Sequence, residues 1–141
     1  MRAVVQRATR GAVRVAGEVV GQITRPGLVV LVAAHVNDTA AEVDLMARKI
    51  AQLRLSRDET SVSDDGAPVL LVSQFTLYGS TRKGRRPSWS ESARGDVAEP
   101  LFDALVEALR AQGVEVQTGR FGADMEVELV NDGPFTVIVD V

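Results

Sequence analysis

The chain has 141 residues, 45% hydrophobic and 25% charged, which suits a single domain spanning 1–141 with a buried core. Zero Cys excludes a disulfide framework and a thiolate metal site, and a single His leaves no basis for a conventional zinc centre, so no metal and no cofactor are expected. No apolar run reaches the ~20 residues of a membrane span, no signal peptide opens the chain, and a net charge of −3 excludes nucleic-acid binding by bulk charge; the expectation is a cytoplasmic protein whose RNA contacts come from a local basic patch.

Arg2 to Ala8 alternates and predicts a first strand. Val13 to Val20 predicts a hairpin with Gly17 in its turn. Arg25-Pro26-Gly27 interrupts the chain, and Leu28 to Ala34 reads as a central strand. Thr39-Ala40-Ala41-Glu42 fits a capping box, with the Thr hydroxyl accepting from the Glu42 N–H. The following helix places Val43, Met46, Ala47, Ile50 and Leu53 on one face. Arg57 to Ala67 is polar and predicts a loop; Asp58, Glu59, Asp64 and Asp65 lack the alternating spacing of a Ca²⁺ loop. Val69 to Tyr78 predicts a strand, buried on both faces where it begins. Gly79 to Gly95 is a loop. Pro100 is placed in the first turn of a second helix, with Leu101, Leu105 and Leu109 as its buried stripe and Gly113 as its stop. Strands at Val114–Thr118, Asp124–Val130 and Phe135–Val141 complete the chain. The order predicts an α+β fold, mostly antiparallel, with about eight strands covered by two helices.

On the predicted strand, Gln74 and Thr76 share one face about 7 Å apart, so that face either reaches solvent or lines a pocket. Thr76 as a nucleophile would need a base. His35 closes an apolar strand and reads as structural, and the only lysines, Lys49 and Lys83, lie outside any motif. Arg82, Lys83, Arg85 and Arg86 precede Pro87-Ser88-Trp89. They are either a solvated loop or phosphate contacts beside a stacking aromatic. Asn131-Asp132-Gly133-Pro134 lies between two predicted strands and reads on its own as a hairpin turn.

Ser73-Gln74-Phe75-Thr76-Leu77 and Asn131-Asp132-Gly133-Pro134-Phe135-Thr136 together resemble the two signature motifs of the D-aminoacyl-tRNA deacylases. The opening Met1 to Arg7, the loop Gly84 to Trp89 and the block Gln117 to Met125 are similar to that family as well, so the resemblance covers nearly the whole chain. One departure is the segment Ser56 to Pro68, which is shorter than usual and lacks the family's common Gly-Lys-Met-Asn run. The resemblance implies a metal-free esterase that removes D-amino acids, and glycine, from tRNA. In it, the segment Ser73, Gln74, Phe75 and Thr76 is catalytic: main-chain N–H groups around Phe75 and Thr76 face the ester carbonyl, the Gln74 and Thr76 side chains help hold ribose and water, and the 2′-hydroxyl of the terminal adenosine assists. It also implies a homodimer in which a cis Gly133-Pro134 of one subunit reaches the partner's pocket and excludes L side chains. Arg7 would hold that dipeptide, and Asn131 and Thr136 would join it in substrate binding and chiral selection; otherwise Arg7 is an exposed strand arginine. Arg82, Lys83, Arg85 and Arg86 would contact tRNA. Two rival readings are a non-catalytic nucleic-acid-binding module of the same fold and a hydrolase of small D-amino-acid esters.

Overall fold

The computed structural model describes residues 1–141. A single six-stranded sheet contains β1 (Arg2–Val15), β2 (Glu18–Ile23), β3 (Gly27–Ala33), β4 (Val69–Ser73), β5 (Val116–Thr118) and β6 (Glu126–Asp140). The helices are α1 (Ala40–Gln52), the short α2 (Val62–Asp65) and α3 (Gly95–Ala111).

The expected count of about eight strands falls to six because neighbouring predicted strands fuse. Arg2–Ala8 and Val13–Val15 are one strand, as are the two segments at the C-terminal end. β1 and β6 pair antiparallel from Arg2↔Asp140 to Arg14↔Glu126, and register shifts near Ala8 absorb the irregular residues without ending the ladder. The sheet is mixed rather than mostly antiparallel. β1 is antiparallel to β2, β3 and β6, whereas β3–β4 and β4–β5 are parallel. Parallel neighbours need long crossovers, which α1 and α3 provide.

Two local signals act as read. Ala16 and Gly17 both take positive φ, the backbone a tight β1–β2 turn requires. At α1 the capping box forms: the Thr39 hydroxyl accepts main-chain N–H groups of the first turn, Ala41 at 3.2 Å among them, and the Glu42 carboxylate accepts the Thr39 N–H at 2.7 Å. Two others differ. Arg57–Ala67 is not all loop, because Ser61 and Asp64 cap α2. α3 starts at Gly95, so Pro100 lies inside it and leaves the Asp96 carbonyl without its helical donor.

Both faces of the central strands are buried. Val30, Val32, Val69 and Leu71 face α1 and α3 in a large core with Met46, Ile50, Leu105 and Leu109. Val29, Leu70 and Val72 face inward onto Ala8, Val13 and Ile23 in a small second core. β2 curls back over that inner core towards β5, giving the sheet a nearly barrel-like form. At the point of closest approach a Cβ on Gly21 would lie 2.1 Å from the Thr118 carbonyl oxygen.

Candidate active site

β4 ends at Ser73, so the predicted continuation to Tyr78 is a correction. β5 is three residues long and pairs β4 only as far as Leu71, and the last β3 partner is Val32↔Ser73. Gln74 donates its N–H to the Val32 carbonyl at 2.8 Å, and Phe75–Tyr78 then coil into a 3-10 turn. Gln74 and Thr76 therefore meet across a turn, not along a strand face: Gln74 Nε2 donates to Thr76 Oγ1 at 2.6 Å. The first residues of such a turn have no partner inside it. Here those residues are Phe75 and Thr76, because the first bond of the turn runs from the Leu77 N–H to the Gln74 carbonyl.

The far end of the turn is anchored from beneath. Tyr78 is buried edge-on to His35 at 5.2 Å, with the Arg2 guanidinium 5.2 Å from its ring centre. Burial first, and Asp38 second, push the Tyr78 hydroxyl up to about 12, so it remains protonated. Arg2 also donates to the Leu77 carbonyl and pairs with Asp140, tying the turn to β6. His35 accepts the Asn37 N–H through Nδ1 and meets Tyr78 edge to face, the structural role read for it.

Ser73, Gln74 and Phe75 line a cavity of about 680 Å³ together with Phe121 and Met125. Most of its lining is apolar, as binding cavities are. Phe75 is 56% exposed and packs edge-on against Trp89, with ring centres 5.3 Å apart. Trp89 in turn lies on Gly79, where a Cβ would come within 2.6 Å of the indole. Phe121 belongs to a block singled out by its resemblance alone, whereas Met125 is also placed in the predicted strand Asp124–Val130; the signal for Phe121 is a lone aromatic in a Gly-rich loop beside no predicted core.

Asn131–Pro134 is not a hairpin turn. The ladder to β1 runs on both sides of it, at Ala8↔Asn131 and Gln6↔Thr136, and the residues between bulge outward with Gly133 and Pro134 exposed. The Gly133–Pro134 peptide is cis. A Cβ on Gly133 would lie 2.9 Å from Asn131 Nδ2, and Thr136 Oγ1 donates to Gln6 Oε1 at 3.2 Å. Arg7 is no exposed strand arginine. Its side chain is 13% exposed, and Nε donates to the Asp132 carbonyl at 3.1 Å. It also donates to the Leu55 carbonyl and lies 4.6 Å from the Phe135 ring centre.

The two motifs do not meet within one chain. Ser73 is level with Ala3 through β3, and Gly133 is level with Arg7. That offset corresponds to about 13 Å along the strands and about 14 Å across three strand spacings. The basic residues lie elsewhere again. Ser80 and Ser88 exchange two backbone hydrogen bonds and close a loop with Gly84 near its tip at φ +72°. Arg82, Lys83, Arg85 and Arg86 project from it, all exposed and none in an ion pair. No helix is long and apolar enough to cross a membrane.

Residues 4–140 match the family model described as D-Tyr-tRNA(Tyr) deacylase. The chain is 63% identical over 140 residues to the D-aminoacyl-tRNA deacylase of Kineococcus radiotolerans, covering 99% of both chains. It is 61% identical, with the same coverage, to the protein of that name from Beutenbergia cavernae. The solved structure of a c-Myc DNA Unwinding Element Binding Protein superposes with TM-score 0.91 at 36% identity, covering 100% of this chain and 99% of that one. A probable eukaryotic D-amino acid tRNA deacylase shares the fold, with TM-score 0.85 at 19% identity over 99% of this chain and 98% of the other. With both motifs in place on this fold and the match running almost end to end, the chain belongs to the D-Tyr-tRNA(Tyr) deacylase family.

Proposed function

We propose that this deacylase cleaves the ester between a D-amino acid, or glycine, and the tRNA 3′ end through main-chain groups assisted by the substrate's own 2′-hydroxyl, as a homodimer. The observation that carries the catalytic part is the start of the 3-10 turn, where the Phe75 and Thr76 N–H groups have no acceptor inside the turn, beside a largely apolar cavity. Water adds to the ester carbonyl, and the oxygen that gains charge accepts hydrogen bonds from those two donors. The carbonyl then re-forms, the ribose oxygen leaves with the proton that the attacking water gave up, relayed by the vicinal 2′-hydroxyl, and free amino acid and tRNA result. An aminoacyl ester with a vicinal 2′-hydroxyl is already reactive, so positioning and oxyanion stabilisation can supply the rate without a side-chain base. The test is deacylation of D-aminoacyl-tRNA ending in adenosine or in 2′-deoxyadenosine. A marked loss with the deoxy terminus is expected; equal rates would overturn the substrate-assisted part.

Thr76 is positioned by Gln74 and contacts no titratable base. Thr76→Ala is therefore expected to keep substantial activity. By contrast, losing a true oxyanion donor costs about 2.7–4 kcal/mol. Mass spectrometry that traps an acyl group on Thr76 would instead establish covalent catalysis.

The separation of the two motifs within one chain supports the cross-subunit site, with Gly133 and Pro134 presented to the partner's cavity and Arg7, Asn131 and Thr136 supporting the bulge. β6 also supports it. This edge strand exposes Val127, Val130 and Ile138, the last at 66%, and a long apolar edge favours pairing with a second copy.

The tRNA backbone is read by the loop bearing Arg82, Lys83, Arg85 and Arg86. Each phosphate contact releases counterions, so replacing Arg85 and Arg86 by Ala should flatten the slope of log affinity against log salt by about 1–2 units. An unchanged slope would leave the loop merely solvated. A reading as a binding module without catalysis draws on the same free cations and on the DNA-binding name of the 36%-identical protein. Turnover on D-aminoacyl-tRNA separates the two. The work belongs in the cytoplasm, where charged tRNA is found.

A further inference from the structure

Beyond Arg7, a second arginine converges on the bulge of β6. We propose that Arg57, carried by the short segment between α1 and α2, is a positioning residue that holds Asp132, and through it the Gly133–Pro134 main chain, in the geometry that decides which amino acid is accepted. The inference rests on the deacylase reading and extends it to a residue outside both motifs.

Asp132 immediately precedes Gly133 and is held at both its main chain and its side chain. Its carbonyl accepts from Arg7 Nε at 3.1 Å. Its carboxylate accepts both prongs of the Arg57 guanidinium, one being Nε to Oδ2 at 2.9 Å and the other the contact between the terminal nitrogen and Oδ1. The Arg7 guanidinium completes the set, 3.3 Å from Oδ2. A bidentate arginine fixes a carboxylate in orientation as well as position, which a single lysine ammonium does not. The Asp132 side chain is only 12% exposed, and the Arg57 hydrogen bond first, its charge and that of Arg7 after it, hold the carboxyl below the usual carboxylate range.

The segment carrying Arg57 is itself fixed. Leu55 is buried and its carbonyl accepts from Arg7, so Arg7 bridges this segment and the bulge. Ser56 and Thr60 close a tight turn, with Ser56 N–H donating to the Thr60 carbonyl at 3.1 Å and Glu59 at φ +56°. Leu55, Arg7, Arg57 and Asp132 thus form a closed frame in which the only free span is the exposed dipeptide that follows. Arg57 is 69% exposed, so its removal leaves the core intact.

The experiment compares rates on D-alanyl-tRNA and L-alanyl-tRNA for the wild type, Arg57→Ala, Arg57→Lys and Asp132→Asn, with thermal midpoints as the folding control. Arg25→Ala, which removes a surface pair with Glu115, is the neutral comparison. Arg57→Ala is expected to raise the L-to-D rate ratio about tenfold, since small misplacements at a site have effects of this size or more. Arg57→Lys should recover part of that change. In an Asp132→Asn background, adding Arg57→Ala should change the ratio no further. An unchanged ratio in Arg57→Ala, or equal losses on both substrates, would overturn the positioning role. A wild type without turnover on D-alanyl-tRNA would instead overturn the deacylase reading on which it rests.

Discussion

Glycyl-tRNA and D-alanyl-tRNA should be hydrolysed at comparable rates, with L-alanyl-tRNA slower by about a hundredfold or more. Nothing in Asn131 to Thr136 offers a side-chain pocket for a D residue. What the bulge offers is exposed main chain at Gly133 and Pro134, backed by Arg7 and Asp132. On the proposed reading, carbonyl oxygens there would accept hydrogen bonds from the substrate ammonium and would leave no space for a methyl group on the L side. An added methyl in a yielding apolar pocket changes rates by about 10–200-fold, and backbone yields less than side chains do. Such a wall works by rejection, and glycine has nothing to reject. Rates on matched D-, L- and glycyl-tRNA test this directly; discrimination against glycine as strong as that against L-alanine would end the exclusion mechanism. The subunit origin of the wall is tested by mixing. Subunits inactivated at Gly133 and subunits inactivated at Gln74–Thr76 should together regain one working site per heterodimer. Heterodimers that form but remain inactive would place the whole site within one chain.

Gly21→Ala should be among the most destabilising single substitutions in the protein, at about 3 kcal/mol. The new Cβ would sit 2.1 Å from the Thr118 carbonyl oxygen and 3.0 Å from its carbon, both backbone atoms with no rotamer to escape into. Overpacking ordinarily costs about 1–3 kcal/mol and more where the neighbour cannot move. Separating β2 from β5 would also loosen the inner core around Val13, Ile23 and Leu70. Denaturant titration measures it as a lower midpoint at unchanged slope. Gly17, in the β1–β2 turn with open space around it, is the contrast: a Cβ there meets nothing, and only its φ of +82° opposes substitution.

Much of this arrangement was legible because the signals were local. The double burial of Val69 to Val72, the cap at Thr39 and the Ala16–Gly17 turn each depend on a few consecutive residues. The errors came from distant partners. Nothing within Ser73 to Tyr78 reveals that β5 ends opposite Leu71, yet that absence lets the chain leave the sheet at Gln74. Likewise Asn-Asp-Gly-Pro carries every mark of a turn, and only β1 pairing on both sides keeps it within a strand. The motif residues were found as a set because of their family likeness. Arg57 was not, because its meaning lies in an ion pair with Asp132 across 75 positions of sequence, inside a polar segment where the family likeness is weakest.

The long β1–β6 ladder joins the two extremes of the chain, Arg2 to Asp140. During synthesis β1 can zip onto β2 and β3 as soon as they emerge, but its other edge must wait for residues made last. Until then the nascent protein carries an open, partly apolar strand edge, the kind of surface that chaperones shield and that seeds aggregation. The rate at which translation finishes, more than the rate at which helices form, then governs how long that edge stays bare.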